Sequence, residues 1–559
     1  CVGTNTMNFY NVSRATRGLV TFVQRWLQEN GQNRRARVVF SHDTRHFSRD
    51  FAEFCAGICT DLGADAYLFP GHRATPELSF VVRQKNADAG VMLTASHNPA
   101  HDNGFKVYFN DGSSIIEPVA TGILAEVNAI ASESYQPVPD AQKGCVTMLG
   151  QEEDDAYVTR LKSLLLDPDV LEQGRKLKIV FTALHGCGGV LVPRLLKELG
   201  FNAITVPEQD VPDGRFPTVA SPNPENAAAL KMGIDLATRE NADIVIGTDP
   251  DCDRMGVVVR NAAGELQLLT GNQIGSLMAW YRVKKFVDLG IITKANRGNA
   301  VIVKTLVTTD LQRAICERYG IRCVETLTGF KYIGAKLGKY ENSLPEEIRK
   351  NYRSLTDDQC RAAHLKDGSF FVFGGEESYG YLGSDFIRDK DGNGAVIMFA
   401  ELAAHAKSRG LTLVELMDEV YSEYGYFLER SYSKEFPGAA GAQTMRRLME
   451  SYSKNPPQAL DGRAVTKLTH YGREDLSDVE GDPIPKENLL FLELEDGTKF
   501  AVRPSGTEPK IKYYFFGRKL PAPGAVIPAA DLPAIKAAMA DGIESLWQEI
   551  DADIGRRTA

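Results

Sequence analysis

The N-terminal part of the chain alternates between short apolar runs and longer amphipathic stretches. Apolar residues between Asn11 and Gln28 recur at helical spacing, which predicts an amphipathic helix. The pair Thr75-Pro76 predicts another helix start, with Thr75 as the N-cap residue. The expected strands are 38–40, 67–69 and 89–93, and a further helix is expected over 48–62. Repeated strand, loop and helix units are typical of a parallel sheet covered by helices.

The same alternation restarts after Gly150 and again near residue 300. The expected strands there are 178–184, 203–206, 244–246, 301–303, 323–325 and 370–373. The charged stretch between Gly338 and Asp367 is expected to be a surface insertion. Beyond Tyr424 the pattern changes, and apolar runs on both sides of Glu495-Asp496-Gly497 predict a β-hairpin. We predict four domains, three alike and one different, spanning 1–150, 151–298, 299–432 and 433–559.

Composition narrows the class of protein. Hydrophobic residues at 43% and charged residues at 25% are ordinary globular values, which argues against disordered and fibrous classes. The net charge of -9 argues against a surface for nucleic acid or anionic lipid, although it is compatible with a local basic pocket. No window approaches the ~18 consecutive apolar residues of a membrane helix. The nine cysteines lack zinc-type spacing. We therefore expect a cytoplasmic protein with reduced thiols and neither a membrane nor a nucleic-acid partner.

A polar loop, Thr94-Ala95-Ser96-His97-Asn98-Pro99, follows the predicted strand at 89–93. In open α/β sheets, ligands bind where strands end. A serine hydroxyl is a weak nucleophile unless a base, a metal or an attached phosphoryl group changes its chemistry. His97 directly follows Ser96 and is expected to project differently, so their adjacency does not predict a serine-histidine-acid triad. Taken alone, the hexapeptide favours an ordinary polar loop with an Asn-Pro turn.

Three aspartates, Asp249, Asp251 and Asp253, alternate along the loop after another predicted strand. Their carboxylates would repel one another unless a cation held them, and Mg²⁺ prefers oxygen ligands. A calcium EF-hand is excluded, because Arg254 and Arg260 occupy the positions that require glycine and glutamate. We predict a divalent metal site rather than a solvated acidic turn, with Arg254 beside the ion and its phosphate.

Two further loops carry candidate chemistry. The segment 374–380 contains Glu376, Glu377 and Ser378, which could bind the vicinal hydroxyls of a sugar, although paired glutamates on a turn more often face solvent. The segment 503–512 combines a guanidinium, hydroxyls and backbone donors, which suits a phosphate cradle and an ordinary Pro-Ser-Gly turn equally well. The loop 326–331, with a hydroxyl and an amine, is a weaker candidate of the same kind.

These motifs, in this order and one in each predicted domain, resemble those of the α-D-phosphohexomutase family, and the resemblance covers nearly the whole chain. The segment 94–99 with Asn103-Gly104-Phe105-Lys106 resembles the phosphoserine loop, and the three aspartates resemble the magnesium ligands. The loops at 374–380 and 503–507 resemble the sugar-selecting and phosphate-binding loops. Gly3-Thr4-Asn5, 269–273, 328–331 and the long third domain resemble the phosphoglucomutase branch, which also includes phosphopentomutases and bisphosphate-making relatives.

The resemblance implies a fold, a cofactor and a reaction. It implies three similar mixed-sheet α/β domains plus a C-terminal α+β domain around a central cleft. It also implies Mg²⁺, a sugar bisphosphate as activator, and a small-molecule sugar phosphate as partner. Ser96 would carry a phosphoryl group, pass it to a bound hexose monophosphate and recover the second phosphate of the resulting bisphosphate. Hexose 1-phosphate and hexose 6-phosphate would thereby interconvert, with glucose favoured over mannose.

The resemblance also implies roles for particular residues. Lys106 is expected to be the general acid/base, since burial beside cations could bring it toward neutrality. His97 is expected to support the loop. The implied catalytic residues are Ser96, Lys106 and His97, the metal ligands Ser96, Asp249, Asp251 and Asp253, and the substrate-binding residues Arg254, Thr328, Gly329, Lys331, Glu376, Ser378, Arg388, Arg503, Ser505, Gly506, Thr507 and Lys512.

The chain departs from the family pattern in two places, and other functions stay open. It begins at Cys1 without a methionine, so we expect an N-terminal segment to be missing, and with it the family's Gly-Arg-Gly loop. Cys252 stands where the family has a smaller or inert residue. The open alternatives are a phosphopentomutase or sugar bisphosphate synthase of the same family, a metal-dependent phosphatase in which water intercepts the phosphoserine, and a catalytically silent sugar-phosphate-binding protein.

Overall fold

The computed structural model describes residues 6–505 and 509–558, and it omits the side chain of Ala439. The chain forms two compact units. The first unit consists of Cys1–Val301 with Gly329–Val414, and the second of Ile302–Thr328 with Glu415–Ala559. No helix among the described residues is long and apolar enough to cross a bilayer.

The N-terminal part of the first unit is a five-stranded sheet with the order β4-β3-β1-β2-β5. Its elements are α1 (Phe9–Glu29), β1 (Arg37–His42), α2 (Ser48–Asp61), β2 (Asp65–Leu68), α3 (Thr75–Gln84), β3 (Ala89–Leu93), β4 (Phe105–Phe109), α4 (Val119–Ala129) and β5 (Val146–Met148). The alternating pattern predicted β1, β2 and β3, and the central strands β1 and β3 are almost completely buried. β4 runs antiparallel to β3, so the sheet is mixed rather than purely parallel.

A second five-stranded sheet follows, with the order β10-β9-β8-β6-β7. Its elements are α5 (Gln151–Lys162), α6 (Leu171–Gly174), β6 (Lys178–Thr182), α7 (Gly188–Glu198), β7 (Asn202–Thr205), α8 (Lys231–Arg239), β8 (Ile244–Thr248), β9 (Met255–Arg260), β10 (Leu266–Leu268) and α9 (Gly271–Asp288). β6 lies parallel to β7 and β8, while β9 is antiparallel to both of its neighbours. The turn between β8 and β9 carries the three aspartates.

The next segment contains β11 (Ala300–Thr305), α10 (Leu311–Tyr319), β12 (Arg322–Thr326), α11 (Phe330–Ser343), α12 (Glu346–Arg349), α13 (Asp357–Asp367), β13 (Phe370–Gly375), β14 (Tyr381–Leu382), α14 (Gly392–Ser408) and α15 (Leu413–Tyr424). The division between the two units falls within β11 and within α15. The charged stretch at 338–367 is not a simple surface insertion. It is largely helical and buries its own apolar cluster of Leu344, Tyr352 and Cys360. Charged residues between these positions made the apolar pattern hard to recognise in the sequence.

The rest of the second unit is built on a six-stranded sheet with the order β15-β20-β19-β18-β17-β16. Its elements are β15 (Tyr426–Glu435), α16 (Gly438–Lys454), β16 (Ala459–Leu460), β17 (Arg463–His470), β18 (Leu490–Leu494), β19 (Lys499–Pro504), β20 (Lys510–Lys519) and α17 (Leu532–Thr558). The predicted hairpin is confirmed as β18 and β19. Gly497 adopts φ +84° in its turn. Trp547 of α17 stacks on Tyr432 with ring centroids 4.5 Å apart.

Candidate functional site

Ser96 stands just after β3 in a left-handed backbone conformation, with φ +51°. Its Oγ donates a hydrogen bond to Asp249 Oδ2 at 2.8 Å, which joins the serine loop to the aspartate loop. The left-handed backbone also turns His97 back, so that its Nδ1 lies 3.3 Å from Ser96 Oγ. His97 was expected to project differently from Ser96, but in this conformation the two side chains approach each other.

His97 is half-buried, and its imidazole has a low pKa. Burial, together with the nearby Arg254 guanidinium, lowers the pKa of His97 to about 3. Its backbone carbonyl accepts a hydrogen bond from Ser221 Oγ at 2.9 Å. A ring with so low a pKa is a poor general base, so the geometry agrees with the expected supporting role in the loop.

The three aspartates form a buried cluster in which one carboxylate oxygen of each lies within 4.8 Å of the others. Asp249 Oδ1 accepts hydrogen bonds from the backbone N–H groups of Asp253 and Arg254, at 3.1 and 3.0 Å. Asp251 Oδ1 and Asp253 Oδ1 are buried and have no hydrogen-bond partner among the described residues. Buried carboxylate oxygens without donors are expensive unless a cation neutralises them. The cluster therefore fits a metal cofactor.

Burial and charge act differently on two members of the cluster. Burial and the repulsion from Asp251 and Asp253 raise the pKa of Asp249 well above its usual value. Burial also opposes ionisation of Asp251, but the ammonium of Lys106 outweighs it and lowers the pKa of Asp251. Asp251 Oδ2 accepts from Lys106 Nζ and from Thr75 Oγ1, both at 2.7 Å. Thr75 thus contacts Asp251 as the first residue of α3, whereas the N-cap position predicted for it belongs to Ala74.

Lys106 lies between two of the aspartates, with Nζ 2.7 Å from Asp251 and 3.5 Å from Asp253. Burial alone would lower the pKa of Lys106, but these two carboxylates raise it above its ordinary value. The expectation that burial beside cations brings this amine toward neutrality stays a prediction, because the raised pKa describes the site without a bound cation. A cation bound by the aspartates would weaken this effect.

Lys390 is a second ammonium at the cluster, and the sequence patterns did not indicate it. Its Nζ lies 3.1 Å from Asp253 and 3.2 Å from Asp389. Asp389 in turn accepts a hydrogen bond from Tyr108 Oη of β4 at 2.7 Å. A lysine in a run of alternating charges gives no local signal, and only the fold brings it to the metal loop.

Arg254 is close to the cluster but is already paired. Its guanidinium donates to Glu225, and its Nε lies 4.0 Å from Asp253. Glu225 was not predicted, since it lies in an irregular segment between β7 and α8. Cys252 is completely buried, and its Sγ lies 3.6 Å from Asn393 Oδ1. Its side chain is thus turned into the protein interior.

The predicted sugar loop contacts the residue that precedes α11. Glu376 Oε1 accepts the backbone N–H of Gly329 at 3.0 Å, and Gly329 has φ +118°. Burial raises the pKa of Glu376, although Lys390 and Arg254 oppose that effect. Ser378 is half-buried in the same turn, and Lys331 is exposed with its ammonium over the ring of Tyr332. Thr328 belongs to the second unit, and its buried Oγ1 has no hydrogen-bond partner among the described residues.

Arg388 does not present a guanidinium to a substrate, which corrects the predicted role. Its side chain is completely buried and pairs with Glu341, and its Nε donates to the carbonyl oxygen of Asp385 at 2.9 Å. Glu341 also pairs with Arg83 of α3 at 3.0 Å. Arg388 and Arg83 of α3 thus share Glu341 of α11 as their partner, which is a structural role. The family resemblance implied a substrate contact for Arg388, and the sequence does not show that this side chain is buried.

The predicted phosphate loop lies in the second unit, where β19 and β20 meet. Arg503 and Lys512 face each other across this strand pair, and Ser505 N–H donates to the Lys510 carbonyl oxygen at 2.9 Å. Arg503 Nε is paired with Glu487 at 2.5 Å, so an incoming phosphate would compete with that carboxylate. Gly506 and Thr507 lie outside the described residues, as do Gly3, Thr4 and Asn5.

Models of one protein family match three successive parts of the chain. The alpha/beta/alpha domains I, II and III of phosphoglucomutase/phosphomannomutase match residues 1–134, 155–264 and 270–424. A phosphoglucomutase of Staphylococcus epidermidis is 34% identical over 486 residues, which cover 85% of this chain and 82% of the relative. A phosphoglucomutase of Staphylococcus aureus is 30% identical over 521 residues, with 92% and 86% covered.

Solved structures agree with this assignment at the level of the fold. A structure from Thermus thermophilus, described provisionally as a phosphomannomutase, superposes with a TM-score of 0.67 at 22% identity and covers 99% of this chain and 96% of that one. At that identity the likeness concerns the fold alone. The matched family models and the extended similarity to the curated relatives are what identify the family. The chain therefore belongs to the α-D-phosphohexomutase family.

Proposed function

We propose that this protein is an intramolecular phosphotransferase that interconverts hexose 1-phosphate and hexose 6-phosphate, with Ser96 as the phosphoryl carrier. The observation that supports this most directly is the hydrogen bond from Ser96 Oγ to Asp249, the first member of a buried carboxylate cluster. The family membership of the chain agrees with it, and the names of the relatives do not favour the pentose or bisphosphate-synthase alternatives. Glucose is the proposed hexose.

The metal site is proposed to hold Mg²⁺ through Asp249, Asp251, Asp253 and the phosphorylated Ser96. Two of these carboxylates have buried oxygens that no described donor satisfies, and an all-oxygen donor set suits this ion. When bound, the ion would neutralise charge on the group being transferred. Because the aspartate loop follows β8 and the serine loop follows β3, two sheets of the first unit jointly set the position of Ser96.

Lys106 is proposed as the group that exchanges a proton with the sugar hydroxyl. It holds that proton at Nζ, 2.7 Å from Asp251 and 3.5 Å from Asp253. Lys390, on the same carboxylate of Asp253, would keep the site's positive charge when Lys106 gives up its proton. His97, uncharged and near Ser96 Oγ, is proposed to orient the hydroxyl rather than to accept its proton.

Substrate contacts are proposed for two loops, each considered in its own unit. In the first unit, Glu376 and Ser378 would bind sugar hydroxyls, and Gly329 and Lys331 would also contact the substrate. Arg254 would lie beside the ion and the phosphate. In the second, Arg503, Ser505 and Lys512, together with Gly506, Thr507 and Thr328, would bind the phosphate that is not reacting. A sugar bisphosphate is the proposed activator because it can phosphorylate Ser96. We also propose that the chain is divided into the four domains predicted above and that the protein is located in the cytoplasm.

The decisive experiment is a mass measurement combined with a coupled assay. Wild-type protein, incubated with Mg²⁺ and glucose 1,6-bisphosphate, should gain one phosphoryl group, whereas Ser96→Ala should gain none. Glucose 6-phosphate should form from glucose 1-phosphate with wild type only. Ser408→Ala removes an exposed hydroxyl at the end of α14 and serves as the matched control.

Each alternative function has its own outcome in these assays. Steady release of free phosphate would indicate a phosphatase. Binding of glucose 1-phosphate without turnover would indicate a silent binding protein. A wild-type protein that never gains the phosphoryl group contradicts the proposal directly.

A further inference from the structure

The backbone of Ser96 is held from both sides by one carboxylate, that of Asp43 in the loop after β1. On one side, Thr94 Oγ1 donates to Asp43 Oδ2 at 2.6 Å and accepts the Ser96 N–H at 2.8 Å. On the other side, Arg45 Nη2 donates to the Ser96 carbonyl oxygen at 2.5 Å, while its Nε lies 3.1 Å from Asp43 Oδ2. These contacts close a ring through Asp43, Thr94, Ser96 and Arg45.

Arg45, in the loop after β1, also contacts the rest of the serine loop. Arg45 also donates to the carbonyl oxygens of Asn98, Pro99 and Asp102, at 2.5, 2.8 and 3.0 Å. The ring of Phe216 lies 4.9 Å from the Arg45 guanidinium. The side chains of Arg45 and Asp43 are completely buried, so water cannot replace these contacts cheaply.

The far end of the loop is tied to the same carboxylate. Asn103 Nδ2 donates to Ser48 Oγ at 2.9 Å, and Ser48 Oγ donates to Asp43 Oδ1 at 2.9 Å. Thr94 N–H donates to the Gly104 carbonyl oxygen at 3.0 Å, which closes the loop at its base. Asp43 thus connects the start, the middle and the end of the segment that carries Ser96.

This arrangement explains how Ser96 keeps an unusual conformation. A non-glycine residue in the left-handed region is strained and persists only where its surroundings fix it. Here both backbone polar groups of Ser96 are fixed, and in this conformation its Oγ reaches Asp249 Oδ2 at 2.8 Å. A freely relaxing loop would lose that alignment, and phosphoryl transfer depends on alignment.

We propose that Asp43 is a positioning residue for phosphoryl transfer, acting through Thr94 and Arg45 to hold Ser96 in the conformation that reaches the metal-site carboxylates. The inference rests on the proposed role of Ser96 as phosphoryl carrier. It assigns a function to the loop at 43–48, which has no signal in the sequence beyond its position after a strand.

The test compares two substitutions at one position. Thr94→Val keeps the shape of the side chain and removes the hydroxyl that links Asp43 to Ser96, whereas Thr94→Ser keeps the hydroxyl. We expect Thr94→Val to lower kcat on glucose 1-phosphate by about 10²-fold with KM changed less than about 2-fold. Thr94→Ser should stay within about 3-fold of wild type. Thr16→Val, which removes a buried hydroxyl bonded to the Val12 carbonyl oxygen in α1, should leave kcat unchanged.

Hydrogen exchange of the peptide that spans Ser96 supplies a readout independent of activity. Exchange should be faster in Thr94→Val and unchanged in Thr94→Ser. Arg45→Lys keeps the charge but cannot reach all four carbonyl oxygens, and it takes the place of Thr94→Val should that variant fail to fold. Equal kcat and equal exchange in the valine and serine variants would overturn the inference. A wild-type protein without mutase activity would defeat the proposed function, and the exchange comparison would still decide the inference.

Discussion

Two loops of this protein carry three acidic residues at alternate positions, and their structures are very different. Asp249, Asp251 and Asp253 lie in the first unit, after β8. Asp478, Glu480 and Asp482, here called the second acidic loop, lie in the second unit, between β17 and β18. In both sets, one carboxylate oxygen of each residue lies within 4.8 Å of the others. Spacing and proximity therefore do not distinguish them.

The second acidic loop uses one of its carboxylates, that of Asp478, to hold its own backbone. Asp478 Oδ1 accepts the N–H groups of Glu480 and Asp482, at 2.8 and 3.1 Å. Glu480 pairs with Arg322 at 2.5 Å. All three acids are only half-buried. The backbone amides of the turn and a neighbouring arginine thus serve as partners for these carboxylates.

The first loop differs in burial and in what its oxygens lack. All three acids are buried, and Asp251 and Asp253 each retain an oxygen without a hydrogen-bond partner among the described residues. Two lysines and a serine hydroxyl approach the cluster. In this protein, burial and unsatisfied oxygens separate the acidic triplet that fits a metal from the one that does not need one.

The largest expected effect comes from removing one charge in the buried cluster. Asp253→Asn keeps the side-chain shape but weakens the ligand set and leaves Lys106 and Lys390 with one counter-charge fewer. We expect kcat to fall by at least about 10³-fold, since a bound metal contributes several kcal/mol to phosphoryl transfer. Steady-state kinetics over a range of Mg²⁺ concentrations provides the measurement. A variant within about 10-fold of wild type at ordinary Mg²⁺ would mean that burial does not mark the metal site.

A second prediction asks what burial does to an acid that lies outside both loops. Glu401 of α14 is buried and accepts the N–H groups of Leu166 and Asp167, at 2.8 and 2.5 Å. Burial raises the pKa of Glu401 to about 7, although these backbone bonds oppose the shift. The native state therefore keeps a proton that the unfolded state releases. Stability should fall as pH rises from about 4.5 to about 7, by about 3 kcal/mol at most, and then level off.

The check on Glu401 is a set of urea unfolding curves at pH 5, 6, 7 and 8 for wild type and Glu401→Gln. The glutamine is neutral at every pH, so the free energy of unfolding of this variant should decrease less than that of wild type between pH 5 and 7. Identical pH profiles for the two proteins would show that the backbone hydrogen bonds to Glu401 cancel the effect of burial on its pKa. The difference between the two acidic loops would then need a cause other than burial.

The smallest expected effect comes from the same chemical change in the second acidic loop. Asp482→Asn should leave kcat, KM and the Mg²⁺ dependence within about 2-fold of wild type, because this half-buried residue lies outside the carboxylate cluster that contacts Ser96. Its measurement is the same Mg²⁺ titration as for Asp253→Asn, so the two variants form a matched pair. If Asp482→Asn strongly changed the dependence of kcat on Mg²⁺ concentration, the two acidic loops would not differ in function as proposed.

Much of the site followed from local pattern. The strands before Thr94 and Asp249 were predicted because apolar runs that end in polar loops have a short-range signal, and the structure confirms both. The hairpin of β18 and β19 followed from its turn residues. Arg45, Glu225 and Lys390 were missed, since nothing in their neighbouring residues marks them.

The sequence by itself determined the order of the motifs, the aspartate spacing and the family to which they point, because these are properties of neighbouring residues. Only the tertiary structure decided which groups meet. Ser96 and Asp249 are 153 positions apart, and Tyr108 and Asp389 are 281 apart. It also decided that Arg388 forms a buried ion pair with Glu341. The carboxylates that raise the pKa of Lys106 are likewise brought to it only by the fold. Burial and charge proximity depend on how distant segments pack, and no local pattern encodes them.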